Sequence, residues 1–510
     1  MLLTSAIRRA ASIRPDGLAI VSGEQRRDWR ETARRVAALA ACLREQGVRP
    51  GDHVATLALN APKYYELLLA AWWAGAVLVP LNTRLSQAEM GYILRHAGVS
   101  ALVVDEHFAA AGAQLGDEID SLSGCLALDD AAYARWIAQP PMEAADPKPD
   151  ELAGIFYTGG TTGQPKGVAL THLNFAFAAL NMQRDLVHDT QTVYLHAPPL
   201  FHLADFGIGL GVTLAAGAHS FMDRFSPALF YERLRQDGVT HLQLAPTMLA
   251  MVLDAPERDD AALARIRSIA YGSAPISQAL LRRALDAFPQ ARIQQFYGMT
   301  ESCGACTMLP PSCHQLDDGQ AGKLDSVGQA TTGFELRVVD ADAKACPPGT
   351  PGEIQIRGPA VMRGYWNAPR ETQKALRDGW LCSGDAGYLD EAGYLYVVDR
   401  LKDMIISGGE NIYCAEVENA IARHPAVSAC AVIGVPDAFW GEKVHAVVVV
   451  REGCTLADTE LDAHCRALVG GYKVPRSYDI RETGLPLSAV GKVQKNVLRQ
   501  EYLQNKGGSR

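Results

Sequence analysis

The sequence predicts an α/β protein: a large N-terminal domain of parallel-rich sheets flanked by helices, a β-rich subdomain, and a small C-terminal α+β domain. Three observations predict it. Between about residue 50 and residue 300, short β-branched runs alternate with glycine or polar turns and helix-length amphipathic segments, the pattern of parallel sheets covered by helices on both faces. After about residue 325 the helices give way to short strands with Gly and Pro turns. The final stretch mixes helix and strand periodicities within a compact segment.

Taken in order, the expected strands are Val54–Leu59, Ala101–Asp105, Leu152–Thr158, Val193–Ala197, His241–Ala245, Ile266–Tyr271 and Ile293–Tyr297, with helices such as Pro227–Gln236 and Ser277–Phe288 between them. The longest apolar run, Leu67 to Leu81, is shorter than the ~20 residues a membrane span needs and contains Gly75 and Pro80. It reads as a buried helix, a turn and a buried strand. Strands Gly333–Asp340 and Gly352–Arg357 open the β-rich part. Asp399–Lys402 leads into Met404–Ser407, followed by helices Ala415–Arg423 and Leu456–Leu468 and strands Val444–Val450 and Tyr478–Arg481.

A chain of 510 residues can bury several cores without disulfide or metal staples. Its net charge of -9 argues against broad nucleic-acid binding, which leans on basic surfaces. Eleven scattered cysteines do not form a disulfide framework. Cys303, Cys306, Cys313 and His314 invite a zinc reading. Small residues around a loop is preferred, because structural zinc ligands come in pairs at both ends. The N-terminus lacks the apolar core of a signal peptide. The expected setting is cytoplasmic, with no transmembrane segment and no nucleic-acid partner.

The strongest chemical signal runs from Thr158 through Gly159, Gly160, Thr161, Thr162 and Gly163 to Lys166 and Gly167, directly after a buried strand. Glycines let backbone N–H groups turn toward an anion, threonines add hydroxyl donors, and Lys166 adds a compact charge. A flexible surface loop is the bland alternative; the Pro-Lys-Gly ending favours a phosphate site. The run is neither the G-x4-G-K-[ST] loop nor a dinucleotide fingerprint.

This run resembles the signature of the adenylate-forming superfamily, of which acyl-CoA synthetases are one branch, with Gly159 standing where the family usually has Ser. The resemblance continues along nearly the whole chain. Gly272, Ser273, Ala274 and Pro275 are similar to the segment that backs adenine. Tyr297, Gly298, Met299, Thr300 and Glu301 resemble the segment in which the tyrosine stacks on the base, the threonine meets the α-phosphate and the glutamate helps hold magnesium; Thr158 is the second metal candidate. Asp385 and Arg400 resemble the residues that hold the ribose. Lys402 looks like the interdomain hinge, and Lys492 like the catalytic lysine of a mobile lid. Ser407, Gly408 and Gly409 resemble the lining of the coenzyme A passage. The domains this implies are 1–398, a hinge at 399–402, and a lid at 403–510.

The resemblance implies an ATP-dependent acid–CoA ligase using ATP, magnesium and coenzyme A. A carboxylate, already ionised at neutral pH, attacks the α-phosphorus and needs no general base. Coenzyme A then takes the acyl group from the adenylate. The acid pocket is expected to draw on Phe201, His202, Asp205, Ile208, Ala245, Thr247, Met248, Tyr271, Met299 and Gly304. His202 is also a candidate base for the thiol, although a lining role is favoured. With no Arg or Lys in that set, the substrate reads as a fatty or aromatic monocarboxylic acid. Competing readings are a stand-alone adenylation protein that loads a carrier, a luciferase-like oxygenase, and a silent binding protein. Self-association into a homodimer is left open.

Overall fold

The computed structural model describes residues 3–119, 122, 124–158, 165–274, 276–314, 323–400, 403–407, 410–437, 439–487 and 493–507. The chain forms two compact units. The first comprises Met1–Leu336 and Ile356–Leu381, the second Arg337–Gln355 and Cys382–Arg510.

Two large sheets organise the first unit. One has nine strands, and its parallel centre runs, from one side to the other, Arg292–Met299, Ser268–Gly272, His241–Leu244, Val193–His196, Ala218–Phe221 and Leu18–Ser22. Antiparallel strands Gly304–Leu309 and Gln25–Asp28 pair with its two outermost parallel members. The other sheet has seven strands in the order Gly364–Tyr365, Lys166–Thr171, Leu152–Thr158, Val77–Pro80, His53–Leu57, Ala101–Val104 and Gly124–Ala127. The alternating pattern therefore folds as expected, with boundaries shifted by a residue or two.

Local chemistry explains several boundaries. The helix Pro227–Asp237 starts at Pro in its first turn, with Ser226 capping the N–H of Leu229. Ser277 caps Gln278–Ala287 in the same way, through the N–H of Leu280. The long apolar run folds into the buried helix Pro62–Trp73, a turn at Gly75 with φ of +79°, and the buried strand Val77–Pro80. No helix among the described residues is long and apolar enough to cross a membrane. Elements the pattern did not give are the helices Leu3–Ile13 and Trp29–Glu45, with the hairpin Leu18–Ser22/Gln25–Asp28 between them.

In the second unit, Glu410–Ile412, Ile405–Ser407, Gly441–Val450 and Val427–Asp437 form an antiparallel sheet, to which Ser477–Arg481 adds in parallel. Helices Cys414–Ala422 and Asp458–Leu468 supply Val417, Ile421, Leu461 and Cys465 to the core beneath it. The strand Leu395–Arg400 pairs with Trp380–Leu389 and sets Arg400 opposite Asp385.

Candidate active site

The expected functional residues of the first unit cluster just beyond the carboxyl ends of parallel strands, where open α/β sheets bind ligands. Thr158 ends Leu152–Thr158, Ala245 follows His241–Leu244, Ser273 and Ala274 follow Ser268–Gly272, and Thr300 and Glu301 follow Arg292–Met299. Two glycines are fixed by close backbone approach. A Cβ on Gly272 would stand 2.4 Å from the Phe296 carbonyl oxygen, and one on Gly298 would stand 2.0 Å from that of Gly304. The segment expected to back adenine is thus held flush against the strand that carries Tyr297. Ser273 (φ +66°) turns the chain away at this point.

On the phosphate side, Lys166 Nζ lies 3.0 Å from Glu371 Oε2 and 5.0 Å from the centroid of the Tyr365 ring. The Tyr365 hydroxyl donates to Glu301 Oε1 at 2.8 Å. Among the described residues, Glu301 Oε2 has no partner. One carboxylate with an open oxygen suits magnesium, which keeps waters and takes substrate phosphate oxygens for its other ligands. No cluster of three or more His, Cys, Asp or Glu able to hold a metal occurs among the described residues.

Around the expected acid pocket, the Phe201 and His202 rings lie with centroids 4.4 Å apart and planes inclined at 54°, at the start of the helix Leu203–Leu214, which also carries the buried Ile208. Met248 is partly buried and Thr247 exposed at the start of Pro246–Leu253. The Tyr271 hydroxyl meets His314 Nε2 at 2.9 Å, while His314 Nδ1 bonds the Pro310 carbonyl at 2.9 Å. That carbonyl fixes the proton on Nδ1 and makes Nε2 the acceptor for the phenol. Met299 and Gly304 are register partners across the hairpin.

Asp205 is fully buried, with Oδ1 accepting from the Tyr194 hydroxyl at 2.7 Å and Oδ2 from His196 Nδ1 at 2.6 Å. His196 Nε2 then meets His219 Nδ1 at 3.0 Å, His219 Nε2 meets Thr213 at 3.2 Å, and Thr213 meets Tyr65 at 2.8 Å. With Asp205 ionised, one proton order satisfies every member: Tyr65 to Thr213 to His219 to His196 to Asp205. Both carboxylate oxygens take part in this chain of bonds, which ties the helix Leu203–Leu214 to the strand Val193–His196. Spacing gave the position of Asp205 but not the direction of its side chain.

Gly207 drew no reading from the sequence. It is buried in the same helix, yet a Cβ placed on it would meet nothing within 4 Å beyond its own helix backbone. Tyr365 and Glu371 drew no reading from the sequence. A cavity of about 1140 Å³ lined by His53, Glu151, Trp366 and Thr372, among others, contains none of the expected pocket residues.

In the second unit, Asp385 is buried and its N–H bonds Ser383 Oγ at 3.0 Å, and Ser407 is buried. Asp399 Oδ2 caps the helix Cys414–Ala422, accepting from the N–H groups of Cys414 and Ala415. Gly159, Gly160, Thr161, Thr162, Gly163, Pro275, Lys402, Gly408, Gly409 and Lys492 lie outside the described residues, as does the side chain of Arg400.

Burial gives the first unit a pH signature. Desolvation holds His172, His241 and His314 down to about 4, from an ordinary 6.5. Each therefore binds fewer protons folded than unfolded below pH 6.5, so its contribution is intact above that value and is lost as pH falls toward 4. The expected result is a melting temperature that falls over this window, each histidine contributing up to ~1.4 kcal/mol per pH unit. Among the described residues His172 Nδ1 has no hydrogen-bond partner, so His172→Phe is expected to make the slope shallower in a thermal melt series.

Residues 7–366 match the family described as AMP-binding enzyme, and residues 416–492 the AMP-binding enzyme C-terminal domain. A feruloyl-CoA synthase of an Amycolatopsis species is 39% identical, over 97% of this chain and 98% of its own. A fatty acid–[acyl-carrier-protein] ligase of Streptomyces coeruleorubidus is 33% identical, over 91% of this chain and 89% of its own. Among solved structures, the o-succinylbenzoate–coenzyme A synthetase of Bacillus subtilis in complex with ATP and magnesium ion superposes with a TM-score of 0.84 at 30% identity, covering 96% of this chain and 98% of that one.

Proposed function

The chain belongs to the AMP-binding enzyme family, and from that premise we propose that it is an ATP-dependent acid–CoA ligase for an apolar monocarboxylic acid, fatty or aromatic. The observation that carries the reading is the junction of the two sheets at Tyr365, which brings the cation of Lys166 and the carboxylate of Glu301 onto one side chain.

In the first step a substrate carboxylate must approach a polyanion. At 4 Å two unit charges repel by about 1 kcal/mol in water and about 4 kcal/mol at an effective dielectric near 20. Lys166, the threonine hydroxyls from Thr158 onward and Lys492 offset that repulsion and the charge that grows on the phosphate. Glu301 and Thr158 would hold magnesium, which neutralises phosphate charge when bound. Tyr297 gives the base a flat face, Thr300 donates to the α-phosphate, and Asp385 and Arg400 take the ribose. In the second step the lid, residues 403–510, turns about Lys402, so that Lys492 leaves and Ser407, Gly408 and Gly409 admit the pantetheine arm. His202 lines the acid pocket.

The acid itself runs toward Gly207, where a Cβ would meet no atom within 4 Å apart from its own helix backbone and its two chain neighbours. Gly207→Leu fills the space there. The expected result is a fall of at least about tenfold in kcat/KM for bulky aromatic or long-chain acids, with a short acid such as propanoate spared. A steady-state comparison of the two acids on both proteins checks it.

The relative that loads a carrier protein favours a second reading, in which the acceptor is a carrier's phosphopantetheine. A panel of acids of graded length and aromaticity, offered with free coenzyme A or with a phosphopantetheinylated carrier, decides between them. Thioester on free coenzyme A is the expected outcome; thioester on the carrier alone overturns it.

A further inference from the structure

We infer that Tyr365 is a positioning residue that couples magnesium binding to phosphate binding, by holding Glu301 with its hydroxyl and Lys166 with its ring. The inference rests on the reading above that ATP and magnesium bind at these two residues.

Its basis is how little freedom the segment around Tyr365 has. Trp366 N bonds the Gly167 carbonyl at 2.7 Å and Arg363 N the Ala169 carbonyl at 3.0 Å, which lays the segment along the strand that begins with Lys166. Three residues from Tyr365, Met362 N bonds the backbone carbonyl of Glu301 at 2.8 Å. The same segment is therefore stitched to the backbone of both partners. Thr372, on the helix Pro369–Ala375, locks it from behind: its Oγ1 accepts from Tyr365 N at 2.8 Å and lies 3.0 Å from the Ala368 carbonyl. A side chain that leaves a backbone fixed on three sides has few rotamers left, and the contacts at its ring and hydroxyl are ready before any ligand arrives.

The chemistry fits a holding role. A phenol O–H is a donor, and here it donates to one carboxylate oxygen of Glu301. By taking Oε1, it aims the remaining oxygen of Glu301 as a single hard ligand. The ring gives Lys166 a cation–π rest while Glu371 takes its ammonium from the side. Glu371 also pairs with Lys374, so it keeps one partner when Lys166 turns to a phosphate. That ion pair is exposed enough to exchange at little cost.

The test uses the full chain with MgATP and an acid that supports wild-type pyrophosphate exchange. Tyr365→Phe keeps the ring under Lys166 and removes only the bond to Glu301. It is expected to raise the magnesium concentration for half-maximal exchange by about tenfold, the equivalent of one hydrogen bond, with KM for the acid unchanged. Without acid, the rise in melting temperature that MgATP produces is expected to shrink. Tyr365→Leu removes both contacts and is expected to raise KM for ATP as well. In a Glu301→Gln background, Tyr365→Phe is expected to add nothing, because the two act through one bond. A Tyr365→Phe protein with wild-type magnesium dependence overturns the inference, as does one that is merely less stable with the same magnesium dependence. Wild-type protein that exchanges pyrophosphate with no acid at all would instead overturn the functional reading beneath it.

Discussion

Lys492→Ala is expected to lose adenylate formation by a factor of about 10²–10³ while still making thioester from supplied acyl-adenylate and coenzyme A. The factor is that of removing one preorganised group from a site where charge grows in the transition state. The asymmetry follows from the chemistry of the steps. Only the first brings an anion against a triphosphate; in the second a thiolate meets a neutral acyl carbon and AMP departs. A lysine that serves both steps equally would slow both equally. Pyrophosphate release and thioester formation, measured separately on the same protein, check this. Equal loss of both half-reactions would remove Lys492 from the role assigned to it.

Asp205→Ala is expected to cost about 3–5 kcal/mol of stability, read as a lowered urea midpoint for the first unit. The substitution leaves two buried donors, the Tyr194 hydroxyl and His196 Nδ1, without an acceptor, and each buried donor left unsatisfied costs about 1–3 kcal/mol. Asp205→Asn is expected to cost clearly less. Its amide can donate to His196 Nδ1, provided the proton order reverses through His219 and Thr213 to Tyr65. Burial keeps His219 neutral, so it can take either tautomer. Nitrogen shifts of the two imidazoles report the reversal. An alanine variant within about 1 kcal/mol of wild type would mean the network is not a brace.

These residues also show what a sequence can disclose. The alternation of β-branched runs with amphipathic segments marked the two large sheets, because burying one face of each element leaves a periodic trace. The ends of those strands then located Thr158, Ser273 and Glu301, since ligand sites in such sheets follow from topology. The first 50 residues were less legible: the charged strand Gln25–Asp28 and the helix after it carry Arg and Glu where a core pattern would stand out. Asp205 was placed near the pocket yet turned inward, because its partners Tyr194 and His196 belong to a strand whose packing against the helix is a tertiary fact. Tyr365 and Glu371 were silent for a related reason. Glu371 lies 205 residues from Lys166, and Tyr365 lies 64 from Glu301, so no local spacing links them.

Exchange of labelled pyrophosphate into ATP, run with each acid in the absence of coenzyme A, tests the central claim most directly. The account predicts acid-dependent exchange for at least one apolar monocarboxylate, followed on addition of coenzyme A by AMP and acyl-CoA in equal amounts. No exchange with any acid offered, or ADP in place of AMP, would contradict it.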